Sequence, residues 1–216
     1  MFEPGRVPTV LLVDDHALFR ESIRRFLEAE AQVAVVGSVG SLDEARLAMK
    51  KDNVNLVLLD YDLGERNGLD FMHAARSLGF HGKVLLVTAG VDPSKAAALL
   101  DLGIAGLFLK HNPPELLKRA IAEVLAGNVW LERDFLRKVL DAAAQAPPAS
   151  ETRLTERETQ VLSFVFDGLS NKQIGDRLAV SESAVKATMQ QLFQKTGVRT
   201  RSQLVRIALE RFSSRP

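Results

Sequence analysis

Five times between Val7 and Gly127, a short run of aliphatic and β-branched residues is followed by a segment with helical spacing. The runs are VPTVLLV, QVAVVGSV, NLVLLD, KVLLVTAG and AGLFLK. They alternate with ALFRESIRRFLEAE, SLDEARLAMK, GLDFMHAARSLG, DPSKAAALLDLG and PPELLKRAIAEVLAG. Leu18, Phe19, Ile23, Phe26 and Leu27 set the period of the first helix. Ser41 and Glu44 form a capping box at the start of the second, and Asp92 with Pro93 starts the fourth. Such a chain builds a parallel sheet covered by helices on both faces, with right-handed crossovers.

After Gly127 the alternation stops. WLERDFLRKVLDAAAQ carries one more helical signal, and AAAQAPPAS, with two prolines and few bulky residues, reads as an interdomain linker. From Arg153 onward only helical signals remain. The expected division is a first domain over 1–127, a linker with a helix signal over 128–150 and an all-helical domain over 151–216. Charge divides the same way: 151–216 holds 11 Lys and Arg against 7 Asp and Glu, while the rest is acidic. The two parts are therefore expected to meet different partners. The absence of cysteine excludes disulfides and thiolate metal sites. The run Val10–Val13 is too short for a signal peptide or a membrane span, so a cytoplasmic protein with no membrane partner is expected.

In an open parallel sheet, ligands gather at the carboxyl ends of the strands. Asp14 and Asp15 end the first strand, Asp60 the third, Thr88 the fourth and Lys110 the fifth. Crowded carboxylates repel one another unless a cation is present, and oxygen-only ligands suit a hard ion such as Mg²⁺. That ion suits phosphoryl chemistry: Asp60 becomes an acceptor carboxylate, Lys110 holds one phosphoryl oxygen and Thr88 donates to another. Singly, each residue has an ordinary explanation as a loop opener, a strand former or a solvated lysine. Their joint position at the strand tips outweighs these.

The motifs LLVDDH, LVLLDYDL…NGLDFM, VLLVTAG and GLFLK, in that order and spacing, resemble the receiver domain of bacterial two-component response regulators. The resemblance implies an α/β, doubly wound, five-stranded parallel sheet in flavodoxin-like order. It implies that a sensor histidine kinase phosphorylates Asp60. It also implies that Asp15 and Asp60 bind Mg²⁺, with Asp14 acting through water and the backbone carbonyl of Asp62 completing the set. Thr88 and Lys110 would sense the phosphoryl group. One position departs: the family usually has Tyr or Phe three residues before the lysine, where this chain has Leu107, followed by Phe108. Leu107 cannot act as a ring switch, and strand alternation points Phe108 to the opposite face.

In the tail, Thr155 with Glu158 and Ser170 with Gln173 form capping boxes, and Ser181 caps a third helix. Val161, Leu162, Val165 and Phe166 form one apolar stripe, and Val185, Met189, Leu192 and Phe193 another. Periodicity alone slightly favours a small helical bundle with a solvated polar face. Two short helices joined by a tight AVS turn, then a longer one, also fit a helix-turn-helix whose last helix would enter the DNA major groove. Its outer face carries Ser183, Lys186, Ala187 and Gln190, with Lys172 and Arg177 nearby. LTERETQVL, GLSNKQIGDRL, VSESAVKATMQQLFQKTGV and RSQLVRIAL resemble the LuxR/NarL-type DNA-binding domain. The resemblance implies that Lys186, Ala187 and Gln190 face the groove and that a fourth helix, with Leu204 and Leu209, serves the core or a dimer seam. Thr188, Gln191 and Thr196 stand where the family often has His, Asn and Leu.

The combined reading is a response regulator and transcription factor rather than an enzyme. Phosphorylation at Asp60 would favour a homodimer that binds double-stranded promoter DNA. Two rivals stand beside it. One is a DNA-binding regulator whose receiver is a phosphorylation-independent interaction module, which Leu107 motivates. The other is a haloacid-dehalogenase-like phosphatase, which the spacing of Asp60 and Asp62 imitates; there the acid pair lies on the first strand rather than the third.

Overall fold

The structure, a computed structural model, describes residues 7–30, 32–51, 53–131 and 154–213. Nearly all of the helix expected in WLERDFLRKVLDAAAQ, and all of the AAAQAPPAS segment, lie outside the described residues. The chain forms two compact units, one within Met1–Val91 and Gly106–Ala126, the other within Asp92–Ala105 and Gly127–Pro216. Asp92–Ala105 thus groups with the later helices although it falls between two strands in chain order.

The first unit is built on β1 (Thr9–Val13), β2 (Ala34–Val39) and β3 (Leu56–Leu59), with α1 (Ala17–Glu30) and α2 (Leu42–Lys51) between them. Two short strands follow, β4 (Asp62–Leu63) and β5 (Arg66–Asn67), then α3 (Gly68–Ser77), β6 (Lys83–Thr88), β7 (Gly106–Leu109) and α5 (Pro114–Leu125). The helix between β6 and β7 is α4 (Pro93–Leu102). The main sheet is parallel with strand order β2-β1-β3-β6-β7. Connections run outward in both directions from the boundary between β1 and β3, where a crevice opens at the carboxyl ends.

Burial follows position in the sheet. Every residue of the central β3 is buried, as an aliphatic strand covered on both faces should be. The edge strand β2 alternates exposed and half-buried residues. Its register with β1 slips between Val10 and Leu11, so that Val36 is bypassed. An irregular edge of this kind discourages pairing with another sheet. Leu18, expected on the apolar stripe of α1, is 82% exposed instead; Leu27 is the stripe's fully buried member.

The second unit contains α6 (Glu156–Phe166), α7 (Asn171–Leu178), α8 (Glu182–Thr196) and α9 (Arg201–Ser213). Thr155, Ser170 and Ser181 cap the first three through their side-chain oxygens. Val161, Leu162, Val165, Ile174, Val185, Met189 and Leu192 are buried, while Phe166, Leu178 and Phe193 are half-buried. Leu204 and Leu209 are both fully buried in the single chain.

Glu158 does more than the capping box requires. It is 3% exposed and accepts from the Thr155 backbone N–H and from Lys195 Nζ, both at 2.8 Å, which ties α6 to the end of α8. The Lys195 hydrogen bond holds its pKa below the usual carboxylate value against the opposing effect of burial, with help from Thr155. A depressed carboxylate stabilises the fold above its unfolded pKa of about 4.3, and the contribution is lost as pH falls through the lower folded value. Glu158→Gln keeps an acceptor for the cap but removes the charge. It is expected to cost about 1 kcal/mol at neutral pH, since Lys195 is partly solvated. Calorimetric melting against pH checks this: the gap between variant and wild type should close below about pH 4.

Candidate phosphoacceptor pocket and nucleic-acid interface

The strand order brings the sequence-predicted residues of β1, β3, β6 and β7 to one edge. Asp14 and Asp60, 5% and 4% exposed, follow the last residues of neighbouring strands. Lys110, just past β7, places Nζ 2.7 Å from Asp14 Oδ2 and 2.7 Å from Asp60 Oδ2. The ammonium therefore bridges the two buried carboxylates. It also lies 4.4 Å from the centre of the Phe19 ring, whose face adds a favourable cation–π contact. Asp60 Oδ1 accepts from the Tyr61 N–H at 2.8 Å.

Asp14, Asp60 and Arg20 share a small cavity with the apolar side chains of Leu12, Phe19, Ile23, Leu58 and Val87. These apolar walls penalise charge on Asp60. Burial pushes its pKa upward and the nearby Asp14 charge adds to this, while Lys110 and the Tyr61 N–H pull it down; the net direction is up. For Lys110, burial pulls downward, but the bonds and charges of Asp14 and Asp60 prevail and raise the pKa. The lysine stays charged and is held in place.

Asp15 lies at the exposed mouth of the pocket. Asp14, Asp15, His16 and Asp60 each offer a ligand atom, all within 4.8 Å of one another. Oxygens of this density fit a hard divalent cation. His16 is the member that strand-end reasoning missed; the motif LLVDDH contained it, but its position one residue beyond the acid pair gave no periodic signal. Asp62 lies in β4, a two-residue strand paired with β5 that sequence periodicity did not anticipate, and its side chain is exposed. Gly64 makes the reversal with φ +71°.

Thr88 is 1% exposed, and its hydroxyl donates to the Gly90 carbonyl at 2.9 Å. The hydroxyl thus engages the loop after β6. Leu107 is fully buried, and Phe108 is buried on the other side of β7.

On the helix-turn-helix, Lys172, Arg177, Ser183, Lys186, Ala187 and Gln190 are all exposed. Lys186 Nζ is 2.8 Å from Glu182 Oε1 one turn earlier, so the outward cation is paired along its own helix. Lys195 is engaged by Glu158. Thr188 is buried, and its hydroxyl donates to the Ala184 carbonyl at 3.1 Å, so it acts inside the helix rather than at its outer face. Thr196 bonds back to Leu192 in the same manner at 2.6 Å.

Two sequence families match this chain: "Response regulator receiver domain" over residues 10–122 and "Bacterial regulatory proteins, luxR family" over residues 152–208. The nitrate/nitrite response regulator protein NarP of Escherichia coli (strain K12) is 36% identical over 195 residues, covering 89% of this chain and 90% of the relative. The DNA-binding transcriptional activator DevR/DosR of Mycobacterium tuberculosis (strain ATCC 25618 / H37Rv) is 30% identical over 211 residues, covering 96% of each. Among solved structures, RcsB from Salmonella enterica serovar Typhimurium bound to promoter P1flhDC in the presence of phosphomimetic BeF3⁻ matches with a TM-score of 0.58 at 22% identity. It covers 95% of this chain and 98% of that one, and the likeness is one of fold.

Proposed function

The chain belongs to the luxR-family response regulators, and we propose that it is a transcription factor whose promoter binding is controlled by phosphorylation of Asp60. The observation that carries this reading is the pair of buried carboxylates bridged by Lys110 at the crevice between β1 and β3. A carboxylate oxygen of Asp60 attacks the phosphorus of a kinase phosphohistidine. An O–P bond forms and the P–N bond breaks. The imidazole leaves with the electron pair and takes up a proton. Lys110, already at Asp60, is positioned to follow the phosphoryl oxygen, and Thr88 can exchange its bond to Gly90 for one to another oxygen.

Mg²⁺, when bound, neutralises the phosphoryl oxygens during transfer. Asp15 and Asp60 would hold it, with Asp14 acting through water and the Asp62 carbonyl contributing. We read the protein as a regulator rather than an enzyme. No described helix is long and apolar enough to cross a membrane.

The exposed face of α8 supports binding to double-stranded DNA through Lys186, Ala187 and Gln190, with Lys172 and Ser183 beside them. Proteins similar to this chain include one whose structure was solved on promoter DNA. A homodimer would set two such helices about one turn of DNA apart. Lys186→Ala is expected to weaken binding about tenfold without loss of helical circular dichroism, because the side chain is exposed. A collapse of the helical signal would reject that face as the interface.

The test of the whole reading treats the full chain with acetyl phosphate and Mg²⁺, then measures intact mass and DNA affinity. A phosphoryl adduct with tighter DNA binding supports it. An adduct with unchanged affinity favours the interaction-module reading, which rests on Leu107 at the position usually held by an aromatic ring.

A further inference from the structure

We infer that His16 is a direct nitrogen ligand in the cation site, so that this receiver takes first-row transition ions such as Co²⁺ in addition to Mg²⁺. The inference rests on the metal-site reading proposed above and concerns which ion that site prefers. His16 Nδ1 lies 2.8 Å from Asp15 Oδ1, 3.4 Å from Asp14 Oδ1 and 3.8 Å from Asp60 Oδ2. Adjacent ligands of an octahedral ion with bonds near 2.1 Å stand about 3 Å apart. The separation from Asp15 matches that spacing and the one from Asp60, the other direct ligand, exceeds it, so the imidazole stands beside Asp15 where one more ligand would stand.

Local backbone geometry fixes this placement. The His16 N–H donates to Asp14 Oδ1 at 2.7 Å, which folds the chain back over the carboxylates just before α1 begins. Lys110 holds Asp14 Oδ2 and Asp60 Oδ2, each at 2.7 Å. Asp15 Oδ1 and Asp14 Oδ1 are the carboxylate oxygens nearest the imidazole. At 2.8 Å Nδ1 and Asp15 Oδ1 share a proton, and a cation would take that proton's place and leave a neutral imidazole protonated on Nε2.

The competing explanation is an exposed ion pair between His16 and Asp15, which would contribute little to anything. The two differ in consequence. An ion pair would be displaced by an incoming cation, so removing it would leave affinity unchanged or raise it. A ligand would be retained, and its loss would fall hardest on ions that favour nitrogen. Imidazole adds little for Mg²⁺ and substantially more for Co²⁺ or Ni²⁺, whose affinities rise along the transition series.

The experiment titrates the untagged full chain with Mg²⁺ and separately with Co²⁺ by calorimetry, for wild type, His16→Asn and His16→Phe. Proton NMR of the Co²⁺ form looks for a strongly shifted, exchangeable imidazole N–H. Wild type should bind both ions and give that resonance. Both variants should lose it and bind Co²⁺ about tenfold more weakly, with Mg²⁺ affinity changed less than about twofold. If wild type binds both ions but the variants keep the same Co²⁺-to-Mg²⁺ ratio, or if either variant retains the resonance, the assignment of His16 is wrong while the carboxylate site stands. If wild type binds neither ion, the metal-site reading fails as well.

Discussion

Asp60→Asn is expected to abolish the phosphoryl adduct formed with acetyl phosphate and Mg²⁺, and with it any gain in DNA affinity. Asparagine keeps the size of the side chain, but its single oxygen replaces only one of the two acceptors, the one facing the Tyr61 N–H or the one facing Lys110, and that amide oxygen is a poor nucleophile toward phosphorus. The fold is expected to survive, because the cost relieved at Asp60 offsets the loss of one of the two carboxylates that hold Lys110, and Asp14 remains. Burial raises the pKa of Asp60, and a carboxyl raised in this way contributes stability below its unfolded pKa of about 3.9 that disappears as pH rises through the folded value. At neutral pH the ionised group is therefore a burden on the fold, and the melting temperature of Asp60→Asn should equal or exceed that of wild type. Intact mass and calorimetry on the same sample check both halves. A persistent adduct on Asp60→Asn would mean that another carboxylate accepts the phosphoryl group; Asp15, at the exposed mouth, would be the first to test.

The sheet and its edge were legible in the sequence for a simple reason. Buried parallel strands are continuous aliphatic runs, so a charged residue at the end of one stands out, as Asp60 does after Leu56–Leu59. Strand order then carries separate tips to one place, which explains how Asp14, Asp60 and Lys110 meet across wide sequence gaps. What the sequence hid depends on local geometry without a period. His16 reaches the pocket through one backbone bend. The β4–β5 hairpin is too short to show alternation. Leu18 satisfies the helical spacing yet faces solvent, because spacing identifies a face only when the whole stripe is counted. In the helical domain, Glu158 was legible as a cap but not as a partner of Lys195, since that contact joins helices far apart in the chain. Lys186 was legible as an outward cation, while its pairing with Glu182 depends on rotamers that the sequence does not specify.

The helix-turn-helix should fail most sharply at Gly175. This residue is buried in α7, and a Cβ placed on it would lie 2.8 Å from the Val180 carbonyl oxygen, which is backbone and cannot swing aside. The approach is close because the chain reverses immediately after α7. The Gly175 carbonyl accepts from the Val180 N–H at 2.9 Å, and Ala179 takes the left-handed conformation with φ 54° to make the reversal. Gly175→Ala gains about 1 kcal/mol of helix propensity but meets an overpacking cost of similar or larger size. Gly175→Val adds branching to the clash and is expected to destabilise the helical domain by about 3 kcal/mol, at the upper end for overpacking. Specific DNA binding should be lost, because α8 is aimed from this turn. Ala179→Gly works in the opposite direction: a left-handed alanine carries about 1 kcal/mol of strain that glycine removes. Calorimetry of the full chain should resolve both shifts, with DNA affinity as the second readout. A Gly175→Val chain that melted like wild type and still bound DNA would show that the turn opens at little cost, and the tight geometry between α7 and α8 would then not be what positions the recognition helix.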